Sequence, residues 1–294
     1  MNRNKTLIVY NPKSGRKKAE KYAFELHNLL LATQNSVLLT GNDATETQAL
    51  IKGEKEGANL LIAVGGDGLV NLSLQELVKE KITLYVYPAG TGNDFHRHNF
   101  KKKSQISLRS KEFLDFESKL IDLGRVTFKN GSRYFGQVLS AGFDSFVNSR
   151  ANKLKYLPGT LKYVLALFLE LPSFKPIRYL LKIDGQNRSI EAMMVVVANG
   201  PTYGGGMKVL PSAASDDGFL DIMILHPVSK FELLRVFPRV FIGSHISHPR
   251  VEIMRCKNVE ISADVPVYAD GEYFCEGEFS VTIEPKILRI MVQD

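Results

Sequence analysis

The alternation of apolar runs with helix-forming segments over the first hundred residues restricts the possible folds of this chain more than any other feature. KTLIVYN, SVLLT, NLLIAVGG and TLYVYP read as strands. Between the first two lies AEKYAFELHNLL, a helix predicted to carry Tyr22, Leu26, Leu29 and Leu30 on one side. Asp43 and Glu46 are spaced as a capping box for a second helix, and LSLQELV begins a third. Strands that are apolar throughout need cover on both faces, so helices joining them imply a parallel sheet.

Beyond about residue 120 the pattern becomes one of strands and tight turns. KLIDLGRVTF and SRYFGQVLSAGF, joined at Asn130-Gly131, predict a hairpin, and IRYLLKID with RSIEAMMVVVAN predicts another across GQ. GFLDIMIL, RVEIMRCKNVEIS, VPVYAD and EFSVTIEP continue the β character, with helices expected near Leu161–Leu171 and Phe231–Phe241. The 294 residues suffice for two domains. The expected division is an α/β domain with a parallel sheet over 1–125 and a mostly antiparallel β-sandwich over 126–294, whose last strand is free to return to the first.

Three segments each follow a strand and precede a helix: NPKSG (Asn11 to Gly15), GGDGLVN (Gly65 to Asn71) and GTGNDF (Gly90 to Phe95). One such loop alone reads as a tight turn. Three at successive strand ends read as a ligand site, because open parallel sheets bind ligands beyond the carboxyl ends of their strands. Glycines there let backbone N–H groups face a phosphate at the positive end of a helix. The chain has no G-x-x-x-x-G-K-[ST], which excludes a P-loop, and GDGLVN lacks the third glycine of the dinucleotide fingerprint.

These three segments resemble the nucleotide-binding motifs of the diacylglycerol kinase catalytic-domain family, in particular its bacterial lipid kinases. The resemblance extends through GFD (Gly142 to Asp144), NGPTYGGGMKVLPSAASDDGFLDI (Asn199 to Ile222) and DGE (Asp270 to Glu272). It implies an ATP- and Mg²⁺-dependent kinase of two domains, a nucleotide-binding domain and a lipid-binding domain, with ATP between them and diacylglycerol as acceptor. A sphingoid base, a phosphatidylglycerol-like lipid and NAD are other acceptors, and a weakly active nucleotide-binding regulator is the reading from another class. Leu69, where the family has threonine, is the one departure in the central motif.

By the same resemblance Asn11, Pro12, Lys13, Ser14, Gly15, Thr40, Gly65, Gly66, Asp67, Gly68, Asn71, Thr91 and Asn93 surround ATP. Asp67 and Asp94 attend the catalytic Mg²⁺, although Asn93 and Asp94 serve equally well to fix their own loop. Glu272 is the general base, with Asp270 supporting it or the metal; read without the resemblance, Asp270-Gly271 is a hairpin turn. Asp217, helped by main-chain carbonyls near Ala214 and Phe219, holds a structural Mg²⁺; read alone it is a turn. His96 and His98 lack a third ligand at suitable spacing, and Arg97 between them suits a phosphate or an acidic side chain.

The formal charge of +7 favours anionic partners. Lys101, Lys102, Lys103, Arg109 and Lys111 form a run without an acid. Such a run is a solvated face or, beside a lipid kinase, a dock for anionic lipid. Aromatic interleaving is absent, which argues against nucleic acid. LIVY is too short for a signal-peptide core, and YVLALFLELP is about half a membrane span. Cys256 and Cys275 read as free thiols of a reducing compartment. The expectation is a cytoplasmic protein, peripheral at the membrane, with a homodimer left open.

Overall fold

A computed structural model describes residues 5–31, 35–100, 116–154 and 159–292. The chain divides into two compact units, one reaching to Ile121 and resuming at Lys286, the other running from Asp122 to Pro285.

In the first unit β1 (Lys5–Tyr10) leads through a single 3-10 turn, Ser14–Lys17, into α1 (Lys18–Leu31). There follow β2 (Asn35–Leu39), α2 (Ala44–Glu54), β3 (Ala58–Gly65), α3 (Asp67–Leu77), β4 (Thr83–Pro88) and the short α4 (Asp94–Asn99). β1 pairs in parallel with both β2 and β3, and β3 in parallel with β4, giving the order β2-β1-β3-β4. Leu60 to Val64 are fully buried, as strands covered on both faces require. The chain leaves β1 toward β2 but leaves β3 in the opposite direction, so β1 and β3 flank a topological switch point.

The buried stripe of α1 is Ala19, Ala23, Leu26 and Leu30, which includes Leu26 and Leu30 of the expected side. Tyr22 and Leu29 lie at its margin, half-buried. α2 begins as the spacing of Asp43 and Glu46 predicts. The Asp43 carboxylate accepts the Glu46 N–H at 2.8 Å, while the Glu46 carboxylate reaches back to the Asn42 N–H at 2.7 Å.

The second unit contains β5 (Ser118–Phe128, entering from the first), β6 (Gly131–Phe135), β7 (Val138–Gly142), α5 (Phe143–Lys153), α6 (Gly159–Glu170), β8 (Ile177–Ile183), β9 (Gln186–Ala192), β10 (Met194–Ala198), β11 (Leu220–Leu225), α7 (Lys230–Val236), β12 (Val251–Cys256), β13 (Asn258–Ala269) and β14 (Glu272–Met291). One path of antiparallel strands runs β12-β11-β10-β7-β13-β14. The early part of β13 instead pairs with β8, and its later part with β7, with a register shift between Ala263 and Pro266. Tyr179, Val197, Ile222, Ile261, Val267 and Val281 are among the side chains of the core enclosed between these strands. The end of β14 belongs to the first unit, where Ile290 pairs in parallel with Leu84 of β4.

Three expected strands are broken. SRYFGQVLSAGF splits at Gly136-Gln137, RSIEAMMVVVAN at Met193 and RVEIMRCKNVEIS at Lys257. The first segment also ends in α5, which its apolar sequence concealed. Gly142 caps that helix at φ +125, and Ser145 bonds back to it, accepting the Gly142 N–H at 2.9 Å and donating to the Gly142 carbonyl at 2.6 Å. The helix expected over Phe231–Phe241 is α7 followed by a 3-10 segment, Phe237–Phe241, that starts where Pro238 removes an N–H.

Candidate active site

The registers Val9–Leu39, Tyr10–Val64 and Gly65–Pro88 bring the carboxyl ends of β1 to β4 to one edge of the first unit's sheet. Three glycine loops meet along that edge. A Cβ on Gly90 would lie 2.4 Å from the Gly66 Cα, so the loops after β3 and β4 touch backbone to backbone. The N–H groups of Ala89 and Gly90 both donate to the Gly65 carbonyl, at 2.9 and 3.1 Å. Gly15, at φ +57, presses on the same place, where its Cβ would meet the Ala89 carbonyl at 2.6 Å. Only residues without a side chain permit this approach.

Asn11 shapes the first loop by accepting the Lys13 N–H on its side chain at 2.9 Å and the Ser14 N–H on its carbonyl at 2.9 Å. Asn11, Lys13, Thr40 and Thr91 are exposed there, with Pro12 and Ser14 half-buried. Gly66 caps α3 in an extended conformation, so Asp67, Gly68 and Leu69 form the helix's first turn, where the helix dipole favours an anion. Asp67 accepts the Phe95 N–H at 3.1 Å and so ties the second loop to the start of α4. Asn71 is buried one turn on, with Gln75 donating to its carbonyl at 3.2 Å.

Leu69, where a hydroxyl belongs by resemblance, packs onto Gly65: a Cβ on that glycine would meet Leu69 Cδ2 at 2.7 Å. Asn93, at φ +55, accepts the Gly90 N–H at 3.0 Å and donates to the Gly90 carbonyl at 2.9 Å, fixing its own loop. Asp94 is buried and accepts from Arg97 at 2.6 Å, and Arg97 also donates to the Gly92 carbonyl at 2.8 Å. Arg97 therefore takes the acidic partner of its two expected ones. His96 stacks on Phe100, and burial pushes its pKa down to about 4.

In the second unit Ala269 pairs with Glu272 across a two-residue turn, Asp270 and Gly271, both left-handed at φ +51 and +85. The Asp270 carboxylate accepts the N–H groups of Gly136 at 2.8 Å, Gln137 at 2.9 Å and Val138 at 3.2 Å. Those amides lie at the break between β6 and β7, so Asp270 holds that break in shape. Glu272 is the exposed acid of the turn, although nearby protein displaces part of the water around its carboxylate and raises its pKa. Arg133 opposes that rise and Asp270 adds to it. Arg133 donates to the Tyr273 carbonyl at 3.0 Å and lies 4.1 Å over the Phe274 ring. Neither its spacing nor its neighbours marked it in the sequence.

Asp217 is exposed and accepts the Phe219 N–H at 3.0 Å, while the Arg255 guanidinium pairs with its other oxygen and already neutralises it. Ala214 and Phe219 are half-buried beside it. The carboxylate buried within this segment is Asp221, 3.8 Å from Arg255, and Asp122 of β5, missed in the sequence, is buried against it and accepts the Gly218 N–H at 2.7 Å. A second missed acid is Asp144 of the GFD motif. Burial pushes its pKa up to about 6, against the hydrogen-bonding influence of the Ser140 side chain, the neighbouring backbone and the Tyr203 hydroxyl, which lies 3.4 Å from Oδ2. The cations Lys101, Lys102, Lys103, Arg109 and Lys111 lie outside the described residues.

Comparison with known proteins covers both units. Residues 5–126 match the diacylglycerol kinase catalytic domain, and residues 137–292 match the YegS C-terminal NAD kinase beta sandwich-like domain. A diacylglycerol kinase of Mycobacterium tuberculosis (strain CDC 1551 / Oshkosh) is 32% identical over 292 residues, covering 98% of this chain and 94% of the relative. One from Bacillus subtilis (strain 168) is 30% identical, covering 92% and 91%. A solved structure of a diacylglycerol kinase from Bacillus anthracis str. Sterne shares the fold with a TM-score of 0.73 at 19% identity, covering 100% of this chain and 98% of that one. This chain belongs to the diacylglycerol kinase family and is a kinase of that type. Membership implies ATP as its phosphoryl donor.

Proposed function

We propose that this chain transfers the γ-phosphoryl group of ATP to the free hydroxyl of diacylglycerol, giving phosphatidic acid and ADP, with Mg²⁺ accompanying the nucleotide. The observation that carries this reading is the contact of Gly15, Gly66 and Gly90 with neighbouring loop backbone at the strand edge, beside the first turn of α3. Side-chain-free backbone at a switch point, with a helix N-terminus facing outward, suits the triphosphate of a nucleotide.

Mg²⁺ usually takes one or two protein carboxylates together with phosphate oxygens and water. Asp67, half-buried in that first turn, suits such a role, with Asp94 held behind it by Arg97. A bound Mg²⁺ would supply neutralisation of the phosphate charge. In the transfer the acceptor oxygen bonds to the γ-phosphorus, the bond to the bridging oxygen breaks, and the hydroxyl proton needs an acceptor. Glu272 takes that proton, and its raised pKa makes it a stronger base than a free glutamate. The membrane lipid acceptor calls for reversible association with a bilayer; no described helix is long and apolar enough to cross one.

The test is a screen of labelled ATP against diacylglycerol, a sphingoid base, phosphatidylglycerol and NAD. Label transfer to diacylglycerol above the rest is the expected result. Preferential transfer to another acceptor would replace the substrate, and ATP binding with no transfer to any of them would replace the kinase reading.

A further inference from the structure

The helical layer of the second unit has an inner face that is packed and an outer face that is not. α5, α6 and α7 bury Phe143, Val147, Ala166, Leu167 and Leu233 in one cluster. On its other side α6 exposes Leu161, Leu165, Phe168 and Leu169. Their spacing of four, seven and eight residues from the first makes them one continuous stripe. Nearby, Phe231 in the first turn of α7 is 79% exposed. Lys230 beside it donates to the Pro172 carbonyl, which fixes the start of α7 against the segment following α6. Ile242, 72% exposed, lies just beyond the 3-10 turn that succeeds α7.

The charges around this stripe are one-sided. Lys153, Lys175, Lys230, Arg235 and Arg239 are exposed on the layer or its connections. Its acids are Asp144, which is sealed inward, Glu170, which is paired with Arg150, and Glu232, which is 3.1 Å from His248. A helix apolar on its outer face, in a layer whose exposed cations outnumber its acids, is suited to lie in the plane of an anionic lipid surface.

We propose that the outer face of the α5–α7 layer docks this protein on an anionic phospholipid bilayer, with Phe168, Leu169 and Phe231 entering the boundary between headgroups and acyl chains. The proposal builds on the lipid-kinase reading and adds the surface by which a chain with such a substrate reaches it. It places the contact on α6 and α7 and does not require the cationic run of residues 101–111.

The experiment is co-sedimentation with vesicles of phosphatidylcholine alone and of phosphatidylcholine mixed with phosphatidylglycerol, at rising salt. The wild-type chain is expected to bind the anionic vesicles and to release as salt screens its cations. Phe168→Gln with Phe231→Gln should weaken that binding about tenfold or more, since two large apolar groups no longer leave water. Lys153→Gln with Lys175→Gln should reduce the preference for anionic over neutral vesicles and serves as the second, independent variant. Turnover of detergent-dispersed diacylglycerol and the melting temperature should stay near wild type in both. Vesicle binding unchanged in the phenylalanine variant would overturn the proposal. So would a phenylalanine variant that falls from dimer to monomer in light scattering, because the stripe would then be a contact between two copies of the chain. Expected vesicle binding from a protein that phosphorylates no lipid would uphold the docking surface and refute the kinase reading instead.

Discussion

Gly65, Gly66 and Gly90 in the first unit have ordinary backbone conformations, and what they lack is room: Leu69 packs on one of them and the other two touch each other. Gly185, Gly218 and Gly271 in the second unit have ample room, with nothing within 4 Å of an added Cβ, and each turns at φ between +76 and +88. The same residue type thus answers a steric demand at the first three positions and a conformational demand at the other three. Aspartate divides in a similar way. Asp67 sits half-exposed in a helix's first turn, whereas Asp270 gives its carboxylate to three backbone amides. A Gly-Asp pair therefore marks close approach of two loops in one place and a tight turn in another.

Substitution separates the two demands. Gly90→Ala should be the most damaging change, because its Cβ meets backbone at 2.4 Å that no rotamer change can clear. A loss of about 3 kcal/mol in denaturant unfolding, with weakened nucleotide binding, is expected for this overpacked contact. An unperturbed Gly90→Ala protein would mean the loops do not depend on close approach.

Asp144→Asn tests the buried acid that neither demand explains. A carboxyl whose pKa is raised to about 6 favours the folded state when protonated, so its ionisation costs stability as pH rises from about 4 through 6. The amide should therefore stabilise the protein by up to about 2 kcal/mol at pH 8 and by little at pH 4, read from unfolding at both values. A gain independent of pH would show that charge is not the cause.

Gly271→Ala should cost least, about 1 kcal/mol, since the left-handed turn strains an alanine without any clash. Gly271→Asn should recover most of that loss. Equal damage from Gly90→Ala and Gly271→Ala would erase the distinction between the two kinds of glycine.

The same distinction explains what the sequence disclosed. The strands of the first unit, the cap at Asp43 and the turn Asp270-Gly271 are local, each set by residues within a few positions of one another. The interruption at Gly136-Gln137 is not local, since the carboxylate that stabilises it comes from Asp270, over 130 positions away in the chain. Arg133 and Asp122 were hidden for the same reason, their partners being Tyr273, Phe274 and Gly218. α5 was hidden by composition: Phe143 and Val147 continue the apolar run of β7, and only the cap at Gly142 separates strand from helix. In α1 Leu26 and Leu30 are buried as expected, and Ala19 and Ala23, too small to stand out in the pattern, complete the face.

The central claim is that the first unit holds the nucleotide and the second supplies the base. It is tested most directly by steady-state kinetics of Glu272→Gln, with ATP affinity measured separately and the wild-type rate followed against pH. The glutamine keeps the shape of the side chain and removes its basicity. The account predicts a kcat lower by roughly 10²–10⁴-fold with ATP affinity nearly intact. In the wild type kcat/KM should fall in acid as Glu272 is protonated, at a pH above that of an ordinary glutamate because its pKa is raised. Arg133→Met should move that limb higher still by removing the opposing charge. Near-normal turnover of Glu272→Gln would contradict the claim and leave the acidic hairpin as a turn alone.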